Sequence, residues 1–185
     1  MNIGVIGAGT MGSGIAQVAS TNNCQVVLFD KSLEALKESE DKLEKILNRL
    51  IEKGRLDLEK KKDIQTRIQY SQKLSDFKNA EFCIEAIDED LEVKQNLFQN
   101  LEKIVSKDCI LATNTSSLSI ASIASALEYP RRCLGVHFFN PAPLMPLVEL
   151  IPAVQTDDVV FDRVFKTIKD WKKIPVKAKD TPGFI

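Results

Sequence analysis

The 185-residue chain is long enough to form one well-buried core, since 44% of its residues are hydrophobic. Its 25 basic and 26 acidic residues give a formal net charge of -1, so no general attraction to nucleic acid or to an anionic membrane is expected. No apolar run approaches the length of a membrane span, and Met1 leads directly into a strand-like segment without signal-peptide features. We therefore expect small-molecule partners and a cytoplasmic location.

The four cysteines are far apart in the sequence, and none forms a C-x-x-C pair. Each lies in or beside an apolar run, which favours buried reduced thiols over disulfides or metal ligands. We therefore expect no metal site. The cysteines are Cys24, Cys83, Cys109 and Cys133.

Short apolar runs alternate with helical patterns along nearly the whole chain. Seven runs are short, rich in branched residues and bounded by turn formers, which is typical of strands: NIGVIG, CQVVLFD, RIQYS, AEFCIEAI, CILATN, RCLGVHFF and LVELI. The amphipathic stretches between them predict crossover helices. The alternation predicts a doubly wound, mostly parallel α/β fold in a single domain, residues 1–185.

Residues 32–67 interrupt this rhythm with a highly charged helical pattern. Ser32 and Asp57 are placed to cap helix N-termini, and Gly54 is placed to end a helix. A helical hairpin inserted after the second strand is therefore expected. Its charges are typical of solvated crossover helices. The alternative is that an anionic substrate tail binds one of three basic residues here: Arg49, Lys53 and Arg55.

Three glycines directly follow the first strand, in the segment GAGTMGSGIA. In a G-x-G-x-x-G pattern the first glycine permits a tight turn, the second lets backbone approach a pyrophosphate, and the third lets helix and strand pack closely. The N-terminus of the following helix then directs its amides at the phosphates. Gly7, Gly9 and Gly12 fit these roles, and Thr10 and Met11 are expected to line the same Rossmann-type dinucleotide site.

Asp30 ends the second strand. An acidic residue there accepts hydrogen bonds from the adenosine ribose and disfavours a 2′-phosphate, so the predicted cofactor is NAD rather than NADP. The alternative is that Asp30 is only a helix cap beside Ser32.

His137 is the only histidine of the chain, and a stiff loop with Asn140 and three prolines follows it. Histidine has an unperturbed pKa near neutrality, which makes it a candidate general base. Glu149 lies in the next strand, so its carboxylate reaches the imidazole if the loop reverses the chain. Because a lone histidine is often structural, the residues alone leave both readings open.

Five segments resemble, in matching order from Ile3 to Ile185, the L-3-hydroxyacyl-CoA dehydrogenases, especially bacterial 3-hydroxybutyryl-CoA dehydrogenases: GAGTMGSGIA, IEAIDEDLEVKQNLF, TNTSSLSI, HFFNPAPLMPLVELI and DTPGFI. The resemblance implies reversible, NAD-dependent oxidation of the 3-hydroxyl of a short-chain L-3-hydroxyacyl-CoA to a 3-oxoacyl-CoA. It implies a place in fatty acid metabolism and an acyl-CoA thioester as substrate.

The resemblance also implies a role for each matching residue. His137 is expected to take the hydroxyl proton, and Glu149 to orient and charge-balance the imidazole. Ser116 is expected to be catalytic, close to both substrate and nicotinamide. Asn140 is expected beside the nicotinamide and the substrate.

On the cofactor side, Glu89 and Lys94 match positions that line the NAD site. The alternative reading makes both residues ordinary charges in the first turn of a helix, and makes Ser116 a cap for the helix near Ser119. Lys53 is the expected contact for the substrate tail.

The chain departs from the family in two ways. Pro146 stands where many relatives have lysine, and the sequence ends at DTPGFI, which in the family leads into a helical domain of roughly a hundred residues. The chain is therefore expected to be the N-terminal domain, without the C-terminal helical domain through which the family dimerises. On its own it should bind NAD and show little turnover. Alternatives are a sugar-acid dehydrogenase of the L-gulonate branch and a non-catalytic NAD-binding protein.

Overall fold

The computed structural model describes residues 1–184, which form a single sheet with helices on both faces. The strands are β1 (Asn2–Ile6), β2 (Gln25–Phe29), β3 (Ile68–Ser71), β4 (Phe82–Glu85), β5 (Ile110–Thr113), β6 (Cys133–Phe138), β7 (Leu147–Pro152) and β8 (Ile174–Lys177). The α-helices are α1 (Thr10–Thr21), α2 (Leu33–Glu52), α3 (Leu58–Thr66), α4 (Leu91–Glu102), α5 (Ile120–Ala124) and α6 (Asp158–Asp170). Two 3-10 helices cover Leu74–Asn79 and Pro130–Arg132.

The strand order is β3-β2-β1-β4-β5-β6-β7-β8, and every neighbouring pair is parallel except β6 and β7. This confirms the predicted doubly wound, mostly parallel Rossmann-type sheet. β6 and β7 are antiparallel because only a short loop joins them, whereas parallel neighbours need a long crossover. The last strand, β8, was not predicted. It has only four residues, one of them Pro175, and they are exposed or half-buried at the sheet edge. A short run with a proline does not read as a strand in the sequence.

Alternate residues of the central strands enter two hydrophobic cores, one on each face of the sheet. In β1, Ile3 and Val5 belong to one core and Ile6 to the other. Helices α1, α2, α3 and α6 cover the first core, and α4 and α5 cover the second. Burial on both faces explains why these strands read as continuous apolar runs in the sequence.

The helical hairpin predicted for residues 32–67 is present as α2 and α3. The Ser32 hydroxyl accepts a hydrogen bond from the Ala35 N–H (3.1 Å), and the Asp57 carboxylate accepts one from the Lys60 N–H (2.7 Å). Gly54, with a φ of +64°, ends the first helix in the left-handed conformation that favours glycine. Both caps and the stop are therefore confirmed.

The four cysteines are buried, and none is paired in a disulfide. The Cys83 and Cys109 thiols contact each other at 3.8 Å within the second core. Burial together with the bond to Cys109 raises the pKa of Cys83. Over residues 1–184, no helix has the length and apolar character that crossing a membrane requires.

Candidate active site

The carboxyl ends of the parallel strands bring together residues that are far apart in the sequence. The glycine turn follows β1, Asp30 follows β2, Glu89 lies beyond β4, Ser116 follows β5, and His137 lies near the end of β6. Strand order reverses direction between β1 and β4, and in open α/β sheets ligands bind in the crevice at such a point. The candidate site therefore lies along this edge.

The glycine turn is held together by backbone contacts. Gly7 has a φ of +100°, and its N–H donates to the Phe29 carbonyl (2.8 Å). A Cβ added to Gly12 would lie 1.7 Å from the Gly7 carbonyl oxygen. No larger residue fits at position 12, where α1 packs closely against the backbone of the glycine turn.

Gly9 is different, because a Cβ there would meet no atom within 4 Å. Protein packing therefore does not explain the missing side chain. Gly9 lines a cavity of about 740 Å³ together with Gly7, Thr10 and Met11. Since α1 begins at Thr10, the N-terminal amides and the positive end of the helix dipole lie at the cavity wall. This open cradle fits a pyrophosphate.

Asp30 lines the same cavity and holds its turn in place. One carboxylate oxygen accepts from the Ala8 N–H (2.8 Å) and the other from the Ser32 N–H (2.9 Å). The contact with Ser32 that the capping alternative requires is present. A helix cap alone would not explain the bond from the Ala8 N–H or the position of Asp30 in the cavity wall. Both place the Asp30 carboxylate beside the glycine turn.

His137 and Glu149 are directly opposed residues of the antiparallel pair β6–β7. The His137 Nδ1 atom lies 2.6 Å from the Glu149 Oε2 atom, and the side chains are 16% and 4% exposed. Because a carboxylate accepts hydrogen bonds, this contact favours the imidazole with its proton on Nδ1. The Nε2 atom then carries the lone pair that can accept a proton.

A second cavity, of about 300 Å³, lies in front of the imidazole. Its lining includes His137, Ser116, Glu89 and Asn140. Three residues line both cavities: Met11, Ala86 and Ile87. A ligand that lies across the glycine turn can therefore extend to the imidazole.

Glu89 holds the loop that follows β5. Its carboxylate accepts from the Thr115 hydroxyl, from the backbone N–H groups of Ser116 (3.0 Å) and Ser117 (3.2 Å), and from the Ser117 hydroxyl (3.1 Å). Burial tends to raise the pKa of Glu89, but the Thr115 bond and the Lys94 charge outweigh it and lower that pKa. Glu89 is therefore a carboxylate at neutral pH.

These bonds leave the exposed Ser116 hydroxyl without a hydrogen-bond partner in residues 1–184. Ser119, not Ser116, is the N-cap of α5, where it accepts from the Ser122 N–H (3.3 Å). The alternative that made Ser116 a helix cap is wrong. The Ser116 hydroxyl is free to bind a ligand.

Lys94 lies behind Glu89 and does not line either cavity. Its side chain is 1% exposed, and its ammonium donates to the Glu85 carboxylate (2.5 Å) and to the Ile87 carbonyl (3.3 Å). A distance of 3.4 Å separates it from the Glu89 carboxylate. Lys94 does lie in the first turn of α4, but it is buried in ion pairs and so is not an ordinary helix charge. The expectation that it lines the cofactor site is corrected, since its contact with the site passes through Glu89.

Sequence reasoning missed two polar residues that shape this region. Glu85, at the end of β4, is fully buried and also accepts from the Thr113 hydroxyl (2.7 Å). The Asn114 side chain accepts from the Phe138 N–H (2.8 Å) and lines the second cavity. Their signals in the sequence differ: Asn114 is the last residue of the predicted strand CILATN, and Glu85 is an acidic residue inside the apolar run AEFCIEAI.

The hairpin residues are not brought to the site. Lys53 is exposed at the C-terminal end of α2, and Arg49 and Arg55 are exposed nearby. None of the three lines either cavity. Their predicted contact with a substrate tail stays a prediction.

Comparisons with known proteins agree with this geometry. The model of the 3-hydroxyacyl-CoA dehydrogenase NAD-binding domain matches residues 2–181. The chain belongs to this family, and its cofactor is NAD. The match covers the glycine turn, Asp30, Ser116 and the His137–Glu149 pair.

Relatives and solved structures give the same assignment. The chain is 40% identical over 185 residues to the 3-hydroxybutyryl-CoA dehydrogenase of Clostridioides difficile, and covers 100% of itself and 66% of that protein. It is 40% identical to the 3-hydroxyadipyl-CoA dehydrogenase of Escherichia coli K12, of which it covers 38%. The crystal structure of 3-hydroxybutyryl-CoA dehydrogenase from Ralstonia eutropha superposes with a TM-score of 0.97 at 38% identity, over 100% of this chain and 65% of that one. The chain thus spans less than two thirds of these relatives.

Proposed function

We propose that this chain is the cofactor-binding and catalytic domain of a 3-hydroxyacyl-CoA dehydrogenase. The reaction is the reversible oxidation of the 3-hydroxyl of a short-chain L-3-hydroxyacyl-CoA, such as 3-hydroxybutyryl-CoA, to the 3-oxoacyl-CoA. The observation that carries the proposal is the His137–Glu149 contact of 2.6 Å, which faces a cavity contiguous with the dinucleotide turn.

His137 acts as the general base of the oxidation. With Nδ1–H donating to Glu149, the Nε2 atom accepts the proton of the substrate hydroxyl. The imidazolium that forms is stabilised by the Glu149 carboxylate, which is nearly buried and so interacts with it through little water. In the reverse direction the same imidazolium returns the proton.

The remaining residues bind and orient the cofactor and the substrate. When bound, NAD supplies the hydride acceptor. The glycine turn and the start of α1 hold the pyrophosphate, and Asp30 accepts from the adenosine ribose. The Ser116 hydroxyl, which has no partner among the described residues, donates to the substrate oxygen, and Asn140 orients the groups at the mouth of the second cavity.

The relatives are longer than this chain, and the proposal also covers what their additional region contributes. Excluding water from the reacting atoms and holding an acyl-CoA against the nicotinamide require a covered cleft. The second cavity, of about 300 Å³, is open and is not enclosed by the described residues. We therefore propose that residues 1–185 alone bind NAD(H) with little turnover, and that the active protein is a cytoplasmic homodimer.

The test uses two samples. The first is residues 1–185, and the second is a chimaera in which the last third of the Clostridioides difficile dehydrogenase follows this chain. NADH binding is measured by fluorescence titration, and reduction of acetoacetyl-CoA by the loss of NADH absorbance. Both samples should bind NADH, and only the chimaera should turn over at a rate typical of enzymes, about 1–10³ s⁻¹.

Three outcomes contradict the proposal in different ways. Absence of NADH binding by the first sample would rule out a self-sufficient cofactor site. Full turnover by the first sample would show that no further domain is needed. A chimaera active on L-gulonate and inactive on acetoacetyl-CoA would favour the sugar-acid alternative.

A further inference from the structure

Lys173 is a buried cation that the proposed reaction does not use. It is 9% exposed, and it forms no ion pair with any acidic group of residues 1–184. Its ammonium donates to three backbone carbonyls, those of Ala142 (2.6 Å), Pro143 (3.3 Å) and Met145 (2.8 Å). Burial lowers the pKa of Lys173. Burying an ammonium without a counter-ion costs free energy, which its three hydrogen bonds to these carbonyls offset.

The loop between β6 and β7 needs such a donor because of its composition. Pro141, Pro143 and Pro146 have no N–H, so the loop has few donors of its own. In the described chain no donor other than Lys173 bonds to the carbonyls of Ala142 and Met145. Removing the ammonium would leave both carbonyls without a donor among the described residues.

The same loop joins the nucleotide half of the site to the reaction half. On one side it packs against α1, where a Cβ on Gly14 would lie 3.2 Å from both Ala142 and Pro143 side-chain atoms. On the other side the Ile174 N–H donates to the Pro146 carbonyl (2.8 Å), next to Lys173. The loop is thus held between α1 and the start of β8.

The beginning of the loop reaches the reacting residues. Asn140 lines the second cavity, and the Phe139 ring lies 4.7 Å from the His137 ring, centroid to centroid. Because both residues precede the Ala142–Met145 turn by only a few positions, a change in that turn alters what faces the imidazole.

We infer that Lys173 is a positioning residue of the reaction centre: its ammonium fixes the Ala142–Met145 turn and thereby holds Phe139 against His137 and Asn140 at the wall of the second cavity. The inference deepens the proposed function and rests on it. Lys173 touches neither substrate nor cofactor, and it acts only through the loop carbonyls.

The test exploits the fact that His137 is the only histidine. Its imidazole signals in an NMR spectrum of residues 1–185 without nucleotide report directly on the reaction centre. Lys173→Met keeps the length of the side chain and removes the donor. We expect it to shift or broaden the His137 signals, whereas Lys172→Met, which removes the neighbouring exposed charge, should leave them unchanged.

A second readout separates the two halves of the site. In the proposed function NADH extends from the first cavity into the second, whereas ADP-ribose lacks the nicotinamide that would enter the second. In Lys173→Met the affinity for NADH should fall about tenfold, within the range for a residue that acts on a ligand indirectly, and the affinity for ADP-ribose should not change. A merely structural role would weaken both ligands equally or neither.

Gly14→Ala is the second variant, in case Lys173→Met does not fold. It presses on the same loop from α1 and leaves Lys173 intact, and it should shift the same His137 signals. Unchanged signals in a folded Lys173→Met, or in Gly14→Ala if Lys173→Met is unfolded, would overturn the inference. The NMR result decides this even if the wild-type chain binds no NADH, which would refute only the proposed function.

Discussion

The two halves of the site are built by different means. The nucleotide half, from β1 to Asp30, is made of backbone and of missing side chains, within one stretch of the sequence. The reaction half is made of side chains that follow β5 or lie in β6 and β7, and the Glu89 carboxylate beyond β4 holds the Ser116 loop. The first half is therefore sensitive to added atoms, and the second to lost hydrogen-bond partners.

The largest effect is expected in the reaction half. In the chimaera, His137→Ala should lower kcat by about 10²–10⁴, the usual contribution of a general base. Affinity for NADH should change little, because His137 is not part of the glycine turn. Glu149→Gln keeps the shape of the side chain and removes its charge, and it should also lower kcat. Steady-state kinetics with acetoacetyl-CoA gives both numbers; near-normal turnover in His137→Ala would mean that another group takes the proton.

The nucleotide half should respond to added atoms in two distinct ways. Gly12→Ala places a Cβ 1.7 Å from the Gly7 carbonyl oxygen, so it should lower the free energy of unfolding by about 3 kcal/mol, the upper end for overpacking. Gly9→Ala places a Cβ in open space at a φ of −67°, which alanine adopts freely. It should leave stability within about 0.5 kcal/mol and still weaken NADH binding.

Urea unfolding and NADH titration of the same samples check this pair. If Gly9→Ala binds NADH as well as the wild type, the open space at Gly9 is not needed by the cofactor. That result would contradict the difference proposed between the two halves.

A smaller effect is expected at Asp30, the acidic side chain that lies beside the glycine turn. Asp30→Ala should weaken NADH binding by about tenfold, the effect of one hydrogen bond to a charged group, and narrow the difference between NADH and NADPH. Asp30→Asn is the matched control, since it keeps an acceptor for the Ala8 N–H and removes only the charge. Fluorescence titration with both cofactors tests the prediction; equal affinity of the wild-type chain for NADH and NADPH would contradict it.

The smallest effect is expected at the turn that precedes Lys173. Lys172 has a φ of +59° where α6 ends, and the N–H groups of Lys172 and Lys173 bond back to Lys169 and Ile168. Glycine is favoured at this position of a helix C-terminus, so Lys172→Gly should stabilise the chain by about 1 kcal/mol.

Thermal unfolding should show this gain as a rise in Tm of about 2–4 °C. Lys169→Gly, inside α6, is the control and should destabilise by about 1 kcal/mol. A loss of stability in Lys172→Gly would show that the side chain of Lys172 does more than occupy the turn.

Local features were predictable from the sequence because neighbouring residues decide them. The Ser32 and Asp57 caps and the Gly54 stop depend on bonds over three or four residues, and the structure has all three. The glycine turn and Asp30 were also predictable, since a strand, a tight turn and a helix N-terminus follow one another along the chain.

Only the tertiary structure decided which polar residues meet. Lys94 reads as a charge at the start of a helix, and it is the packing of α4 on the sheet that buries it against Glu85. The opposition of His137 and Glu149 depends on an antiparallel register that the sequence left conditional on the loop. β8 was missed because it is a four-residue edge strand that contains Pro175, and the burial of Lys173 was missed because lysine is usually exposed. The sequence by itself determined the glycine turn, because its contacts are local. The arrangement of the reaction half was decided only by the tertiary structure, because its hydrogen bonds join residues that are distant in the chain.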